Sequence, residues 1–278
     1  KSIKMKNLKL SNDLKLNIIK DLTKNEKLFS ISPLRNARIN SKEVNKNDIF
    51  FAIKGKKNDG NKFVQQSFKK GASLAVVSKI QNNLDIKKQI KVKNPLKVLS
   101  ETSKIYRNNL KTKIIAITGS CGKTTLKELL GNSLRKISKV GISPKSYNNK
   151  YGVPISLFNL KKNYEYGVLE VGMDKKGEID FLSKIIQPDV SVITNINYAH
   201  AKNFKNINHI ALAKSEIINN TRSNGFLVLN ADDYFYKFHK KLAIKKKLNI
   251  ISFGIENNLA DIKFKSIKKE KNFFKIHI

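Results

Sequence analysis

The chain of 278 residues carries 40% hydrophobic and 28% charged side chains and a formal net charge of +35. This length is sufficient for two domains with sizeable cores, and the hydrophobic content excludes a chain that is disordered throughout. No early stretch resembles a signal peptide, and no apolar run approaches the roughly 20 residues that span a bilayer. We therefore predict a soluble, cytoplasmic protein without membrane insertion.

The excess positive charge comes almost entirely from lysine. Arginine occurs only at Arg35, Arg38, Arg107, Arg135 and Arg222. Lysine, asparagine and isoleucine are abundant together, as AT-rich codons favour, and lysines spread along a chain usually form solvated surfaces. We therefore expect no nucleic-acid partner, and keep a basic, nucleic-acid-dependent ATPase as a distant alternative.

The single cysteine, Cys121, excludes an internal disulfide and fits a reducing compartment. It could act as a nucleophile, but its place between small residues in a turn favours a passive role. The sequence begins without methionine and stops in a strand-like run at 272–278. From this we expect a fragment, and we expect it to be monomeric.

In chain order, residues 1–110 predict a small α/β domain. Its predicted elements are a strand at 48–53, a helix at 61–70 that ends at Gly71, a strand at 73–77, and a helix from Pro95 through Leu110. A short lysine-containing link at 111–113 leads to the next domain.

Residues 111–278 predict a second domain in which strands and helices alternate. The predicted strands are 114–117, 166–171, 190–194 and 225–230; the predicted helices are 124–137, a short helix ending at 160, 177–186 and 207–221; 143–151 is a polar loop and 240–247 a solvated helix face. This alternation is typical of a mostly parallel sheet covered by helices. Ligands bind such sheets outside the carboxyl ends of the strands.

The most informative stretch follows the strand at 114–117. The turn Gly119-Ser120-Cys121-Gly122 leads into Lys123-Thr124-Thr125, which opens a helical pattern. Backbone N–H groups of such a turn, together with the positive N-terminus of a helix, bind phosphate oxygens. We predict that these seven residues bind ATP, with Lys123 on the β- and γ-phosphates and the Thr124 hydroxyl on Mg²⁺. Only two residues separate the glycines, so this loop is shorter than the commonest pattern.

Two other candidate residues lie at the same predicted edge of the sheet. Glu170 ends a buried strand and is a candidate Mg²⁺ ligand, the alternative being a carboxylate that caps a neighbouring helix. His200 follows the strand at 190–194 and suggests a second metal site, although a histidine in a loop is more often a surface residue. Lys214 and Glu216 have no role that their residue types alone would indicate.

Taken together, these motifs resemble those of the Mur ligases, the ATP-dependent amide-forming enzymes of peptidoglycan precursor synthesis. The similarity runs from about Arg38 to the end and covers 40–42, 48–50, 54–55, 59–60, 71–72, 119–128, 148–154, 170–179, 199–200, 213–217 and 230–233. The chain departs from the family at Asn40-Ser41-Lys42, usually Asp-Ser-Arg, and at Ala201-Lys202, usually Leu-Glu. Lysine does not replace arginine at a bidentate contact.

The resemblance implies a first domain that binds a UDP-muramoyl peptide, a central ATP-binding domain, and a third domain that is absent here. It is greatest for the branch that activates UDP-N-acetylmuramoyl-tripeptide as an acyl phosphate and then adds D-alanyl-D-alanine. The resemblance implies Lys123, Glu170, His200 and a carbamylated Lys214 as catalytic residues, and Thr124, Glu170, His200 and Lys214 as ligands of two Mg²⁺ ions. It also implies Asn230 near the nucleotide, and Asn40, Ser41, Lys54, Asn148 and Asn149 for the substrate.

Other ligases of this kind remain open as alternatives. They are a Mur-type ligase that adds a different amino acid and a folylpolyglutamate synthase, and Lys127 and the Asn148-Asn149 loop argue against both. A further possibility is that the isolated chain binds nucleotide but catalyses nothing.

Overall fold

The computed structural model describes residues 13–25, 33–55, 58–198, 203–271 and 274–278. They form two compact units: the first extends to Leu110 and includes Leu157–Asn159, and the second comprises the rest from Lys111 onward. The predictions made for His200 and for Ala201-Lys202 lie outside the described residues, as does the start of the strand-like run at 272–278.

The first unit is built on a four-stranded parallel sheet. Its elements are α1 (Leu14–Thr23), β1 (Ala37–Arg38), β2 (Ile49–Phe51), α2 (Val64–Lys69), β3 (Leu74–Val77), β4 (Gln89–Lys91) and α3 (Pro95–Asn108), and the strand order is β1-β2-β3-β4. The helix predicted at 61–70 begins as a 3-10 helix, Gly60–Phe63, which the Asp59 carboxylate caps, and continues as α2.

Burial on both faces explains the apolar character of β2. All three of its residues are buried, α3 contacts the strand, and α1 packs on α3. The segment Leu157–Asn159 completes this unit: Ala37 N donates to Asn159 Oδ1 at 2.7 Å, and the Phe158 ring meets the Phe51 ring edge-on at 6.3 Å between centroids.

The second unit alternates strands and helices as predicted. Its elements are β5 (Lys113–Thr118), α4 (Lys123–Arg135), β6 (Val140–Ile142), α5 (Gly152–Phe158), β7 (Tyr166–Glu170), α6 (Glu178–Ile186), β8 (Val190–Ile193), α7 (Ile207–Asn220), β9 (Phe226–Asn230), α8 (Tyr236–Lys245), β10 (Asn249–Gly254), β11 (Ile262–Lys263), β12 (Ser266–Lys269) and β13 (Phe274–His277). The last two residues of α5 belong to the first unit. The lysines of 240–247 are exposed, which confirms the prediction of a solvated helix face.

The order of the strands determines where a ligand can bind. The large sheet runs β11-β10-β9-β8-β5-β7-β6 with every pair parallel, while β12 and β13 form a separate antiparallel hairpin. The chain passes from β5 to β6 and β7 on one side and then crosses to β8 on the other. The carboxyl end of β5 is therefore a topological switch point, where open sheets of this kind bind ligands.

Helix α4 covers one face of the sheet at this point. Ile115, Ile117 and Val168 of the strands form a core with Leu126 and Leu130 of the helix. Helix α6 contacts β5 and packs on α7, which contacts β8. None of the helices among the described residues combines the length and the apolar character needed to cross a membrane.

Candidate nucleotide-binding site

The turn between β5 and α4 needs both of its glycines. Gly119 has φ +145° and Gly122 has φ +80°, both in the region that disfavours a side chain. A Cβ on Gly119 would also lie 1.8 Å from Thr194 Oγ1. The turn can therefore approach the end of β8 only because residue 119 is glycine.

The segment after β8 holds this turn in place. Ser120 N donates to the Asn195 carbonyl at 2.9 Å, and Cys121 N donates to Asn195 Oδ1 at 3.0 Å. The Ser120 hydroxyl exchanges two hydrogen bonds of 2.8 Å with the backbone of Asn197. These asparagines were not predicted; the signal available was a run of polar residues directly after a buried strand.

No side chain in the described ranges caps the start of helix α4. The N-cap residue is Gly122, which has no side chain that could accept a hydrogen bond from the helix. The first turn of the helix carries no acidic residue. The first N–H groups of a helix have no partner within the helix, and with the helix dipole they favour a bound anion. Lys123 adds a positive charge there, and its Nζ donates to the carbonyls of Gly119 at 2.8 Å and Ser120 at 3.1 Å. Thr125, in the same turn, is exposed.

A buried carboxylate faces this turn from β7. Glu170 is 2% exposed and accepts from Thr124 Oγ1 at 2.7 Å and from Asn148 Nδ2 at 2.8 Å. Its backbone N–H donates to Ser143 Oγ at 3.3 Å. Within the described ranges no lysine or arginine forms an ion pair with it. A buried carboxylate with only neutral partners is a fitting place for a bound cation.

Lys214 reaches the same turn from α7. Its side chain is almost fully buried, and Nζ donates to the Gly119 carbonyl at 2.9 Å. Burial, together with the nearby charge of Lys123, lowers the pKa of Lys214 from 10.5 to about 7. Lys214 can therefore lose its proton near neutral pH, whereas an exposed lysine cannot.

Glu216, two residues further along α7, serves the neighbouring helix. Its carboxylate accepts from Gly177 N at 2.8 Å and from Asp180 N at 3.0 Å. It thereby satisfies N–H groups at the start of α6. This cap could not be read from the sequence, because it joins residues that are about forty positions apart.

The two predicted asparagines of the polar loop have different surroundings. Asn148 donates to Glu170, whereas Asn149 Oδ1 accepts from Tyr151 N at 3.0 Å and Gly152 N at 3.1 Å, at the start of α5. Asn230 lies at the end of β9, and its Oδ1 accepts from Asp232 N at 3.0 Å. The structure thus brings Asn148 to the carboxylate and gives Asn149 and Asn230 local contacts.

The predicted metal ligands are brought together in part. Thr124 and Glu170 touch each other, and Lys214 contacts Gly119 of the adjoining turn, while His200 is not among the described residues. In the part of the chain that the structure describes, no three His, Cys, Asp or Glu residues cluster to hold a metal. One hydroxyl and one carboxylate still fit Mg²⁺, which takes oxygen ligands and often completes its shell with phosphates and water.

The predicted substrate residues of the first unit lie in the segments that follow β1 and β2. Asn40 is exposed and caps a 3-10 helix, accepting from Lys42 N at 3.1 Å, and the buried Ser41 hydroxyl donates to Gln66 Oε1 at 2.5 Å. Lys54 lies beyond β2, is exposed, and forms an isolated antiparallel bridge with Asp59.

Comparison with protein families gives two matches. Residues 117–278 match the Mur ligase middle domain, and residues 34–110 match the Mur ligase family catalytic domain. Together they cover most of the chain.

Individual relatives agree. The UDP-N-acetylmuramoyl-tripeptide–D-alanyl-D-alanine ligase of Rickettsia prowazekii is 39% identical over 220 residues, which are 78% of this chain and 48% of that protein. The MurF crystal structure from Acinetobacter baumannii matches with a TM-score of 0.79 at 30% identity, over 91% of this chain and 55% of that one. The MurF ligase of Thermotoga maritima in complex with ADP matches with a TM-score of 0.74 at 30% identity, over 91% and 56%. The chain therefore spans about half the length of the relatives it matches.

Proposed function

Because the chain belongs to the Mur ligase family, we propose that it supplies the ATP-binding and UDP-substrate-binding parts of a UDP-N-acetylmuramoyl-tripeptide–D-alanyl-D-alanine ligase. One observation carries the proposal. At the switch point of a parallel sheet, the uncapped start of α4 and Lys123 lie next to Glu170, a buried carboxylate without an ionic partner among the described residues. The names of the relatives support the substrate.

The residues of the turn act on ATP by binding and orienting its phosphates. N–H groups at the start of α4 donate to phosphate oxygens, and Lys123 exchanges its contacts with backbone carbonyls for the β- and γ-phosphates. Phosphoryl transfer depends mainly on this positioning and on neutralising charge. The ADP complex of the Thermotoga maritima relative supports nucleotide binding in this fold.

Thr124 and Glu170 would hold Mg²⁺. Asn148 would orient the Glu170 carboxylate by donating to the oxygen that Thr124 does not contact. When bound, the ion supplies positive charge to the phosphate oxygens of ATP. His200 is the proposed protein ligand of a second ion, following the family resemblance.

The proposed reaction proceeds in two steps. A carboxylate oxygen of the UDP-muramoyl-tripeptide attacks the γ-phosphorus of ATP, which forms an acyl phosphate and releases ADP. The amine of D-alanyl-D-alanine then attacks the acyl carbon, loses a proton, and expels inorganic phosphate as the amide bond forms. In the first unit, Asn40, Ser41 and Lys54 are the proposed contacts for the UDP-linked substrate.

Lys214 is the proposed site of carbamylation. Because its pKa is about 7, a substantial share of the amine is neutral at physiological pH. The neutral nitrogen can attack the carbon of CO₂ and lose a proton, which converts a cation beside the turn into an anionic oxygen ligand. The exposed free thiol of Cys121 fits the reducing, cytoplasmic compartment in which we place this reaction.

Nucleotide binding can be tested on the chain itself, because Cys121 is its only cysteine and is exposed within the turn. ADP or ATP with Mg²⁺ should protect Cys121 from alkylation by N-ethylmaleimide, whereas AMP, which lacks the β- and γ-phosphates, should protect it much less. Equal labelling with and without ATP would contradict the proposed site.

Ligation is tested by phosphate release. The assay compares the chain alone with the chain fused to the C-terminal half of the Rickettsia prowazekii relative. We expect release from the fusion only when UDP-N-acetylmuramoyl-tripeptide and D-alanyl-D-alanine are both present. Release that is independent of the dipeptide would exclude the proposed acceptor, and a screen of other amines would then identify it.

A further inference from the structure

We propose that Lys127 is a positioning residue for the Glu170 cluster, which we define as Glu170, Thr124 and Asn148. The inference rests on the proposed function, because it assigns to this cluster the binding of Mg²⁺ with the nucleotide. Lys127 Nζ contacts Ser143, Lys145 and Glu128, and not the Glu170 carboxylate. It acts through the loop that follows β6.

The surroundings of Lys127 are unusual for a lysine. Its side chain is completely buried within α4, and Nζ donates to the carbonyls of Ser143, at 2.9 Å, and Lys145. Within the described part of the chain its charge is paired only with Glu128, whose Oε1 lies 3.0 Å away and whose side chain is 48% exposed. Burying an ammonium group is costly unless it is paired and hydrogen-bonded. A lysine here therefore does more than fill space.

The loop that Lys127 binds contacts Glu170 at two points. Ser143 Oγ accepts from the Glu170 backbone N–H at 3.3 Å, and Asn148 donates to the Glu170 side chain at 2.8 Å. Lys145, between them, has φ +45°, a conformation that is strained for a residue other than glycine. The hydrogen bond from Lys127 to the Lys145 carbonyl holds this turn.

These contacts form a closed circuit. Thr124 connects α4 to the Glu170 carboxylate. Lys127, one helical turn further along, connects α4 to the loop whose Ser143 accepts from the Glu170 backbone N–H. Residues three apart on a helix lie on the same face, so both ends of the circuit are fixed by one rigid element. Gly131, the next residue on this face, is also buried, which lets α4 lie close to β6.

The test is Lys127→Met, which keeps an unbranched side chain of similar length and removes the donors. Loss of an outer-shell partner typically weakens a metal site about 10- to 100-fold. Because Lys127 acts through the loop and does not contact Glu170 itself, we expect an effect at the lower end of this range. The half-saturating Mg²⁺ concentration for ADP binding should rise about tenfold. We expect binding of ADP without Mg²⁺ to stay within about twofold.

A second measurement needs neither metal nor nucleotide. In Mg²⁺-free buffer, the amide hydrogens of residues 143–149 should exchange at least about tenfold faster in Lys127→Met, while those of β8 should not change. Arg135→Met is the matched control, since Arg135 lies on the same helix, is exposed, and donates only to Asn132 in the described structure. It should leave both measurements unchanged.

The outcomes separate this inference from the proposed function. If the unaltered chain binds no ADP, the proposed function fails, while faster exchange in Lys127→Met still supports the role of Lys127 in holding the loop. If the chain binds Mg²⁺ and ADP, and Lys127→Met changes neither the Mg²⁺ dependence nor the exchange rates, the positioning role is excluded. A variant that fails to fold, also as Lys127→Gln, would assign Lys127 to the stability of the core and overturn the proposal.

Discussion

Helices α4 and α6 begin in the same way, but the N–H groups at their N-termini differ in their hydrogen-bond partners. Each follows a glycine in the left-handed region, Gly122 with φ +80° and Gly177 with φ +87°. At the start of α6 the Glu216 carboxylate occupies two N–H groups. At the start of α4 no carboxylate of the described residues does so, and Lys123 follows Gly122 directly.

One helix accounts for this difference. On α7, Lys214 turns a buried amine toward the turn before α4, and Glu216 turns a carboxylate toward the turn before α6. The same fold can therefore satisfy a helix N-terminus from within and does so for α6. The open N-terminus of α4 marks the place where the anion is expected to come from a ligand.

The largest expected effect comes from Lys123→Met, which removes the positive charge from the open helix. We expect the affinity for ATP to fall by about 100-fold or more, because a preorganised cation on the phosphates is lost. Isothermal titration with Mg²⁺ and ATP measures this. The matched control is Lys176→Met, since Lys176 is exposed beside the glycine of α6 and should have no effect on binding. Similar affinities for the two variants would remove the functional distinction between the helices.

The second prediction concerns a variant in which α4, like α6, has a carboxylate at its N-terminus. Cys121→Asp places a carboxylate at the open N-terminus, where it can interact with the helix dipole and the charge of Lys123. We expect ADP binding to weaken by about 10- to 100-fold and the thermal unfolding temperature of the free protein to rise. Cys121→Asn has the same shape without the charge and should bind ADP nearly as the unaltered chain does. The interpretation would be wrong if both variants lost binding equally.

The third prediction concerns the pH dependence that Lys214 introduces. The folded state binds its proton with a pKa of about 7 and the unfolded state with the ordinary value of 10.5. Between these values the unfolded state holds more protons, so this group makes the free energy of unfolding rise with pH, by up to about 1.4 kcal/mol per pH unit. Below about pH 7 both states are protonated and its contribution is constant.

Lys214→Met removes this contribution. Urea unfolding of both proteins between pH 6 and 9.5, in CO₂-free buffer, should show the unaltered chain gaining stability relative to the variant as the pH rises above about 7. A constant difference across this range would mean that Lys214 keeps an ordinary pKa in the folded chain.

Local patterns were sufficient to predict the parts of the site that follow each other in the sequence. The apolar run of β5, the glycines of the turn and the placement of Glu170 at a strand end are all local features, and the structure has β5, α4 and β7 within two residues of the predicted bounds. The family resemblance added Lys214, which residue type alone did not indicate.

The remaining features depend on contacts between distant segments. β6 has only three residues, too few for a periodic pattern, and was not predicted, nor were β10 and β11. The hydrogen bond from Cys121 to Asn195, the cap that Glu216 forms on α6 and the contacts of the buried Lys127 each involve residues that meet only in the folded chain. In a chain so rich in lysine, the sequence could not distinguish a buried lysine from a solvated one.

The smallest expected effect is the converse of the second prediction. Glu216→Ala opens the N-terminus of α6 by leaving the N–H groups of Gly177 and Asp180 without their carboxylate. We expect a loss of about 1–2 kcal/mol in the free energy of unfolding, as for other lost helix caps, and a smaller loss for Glu216→Gln. The affinity for ADP should not change, because α6 has no lysine in its first turn and no predicted phosphate contact. Unchanged stability with weakened ADP binding would instead show that Glu216 belongs to the nucleotide site.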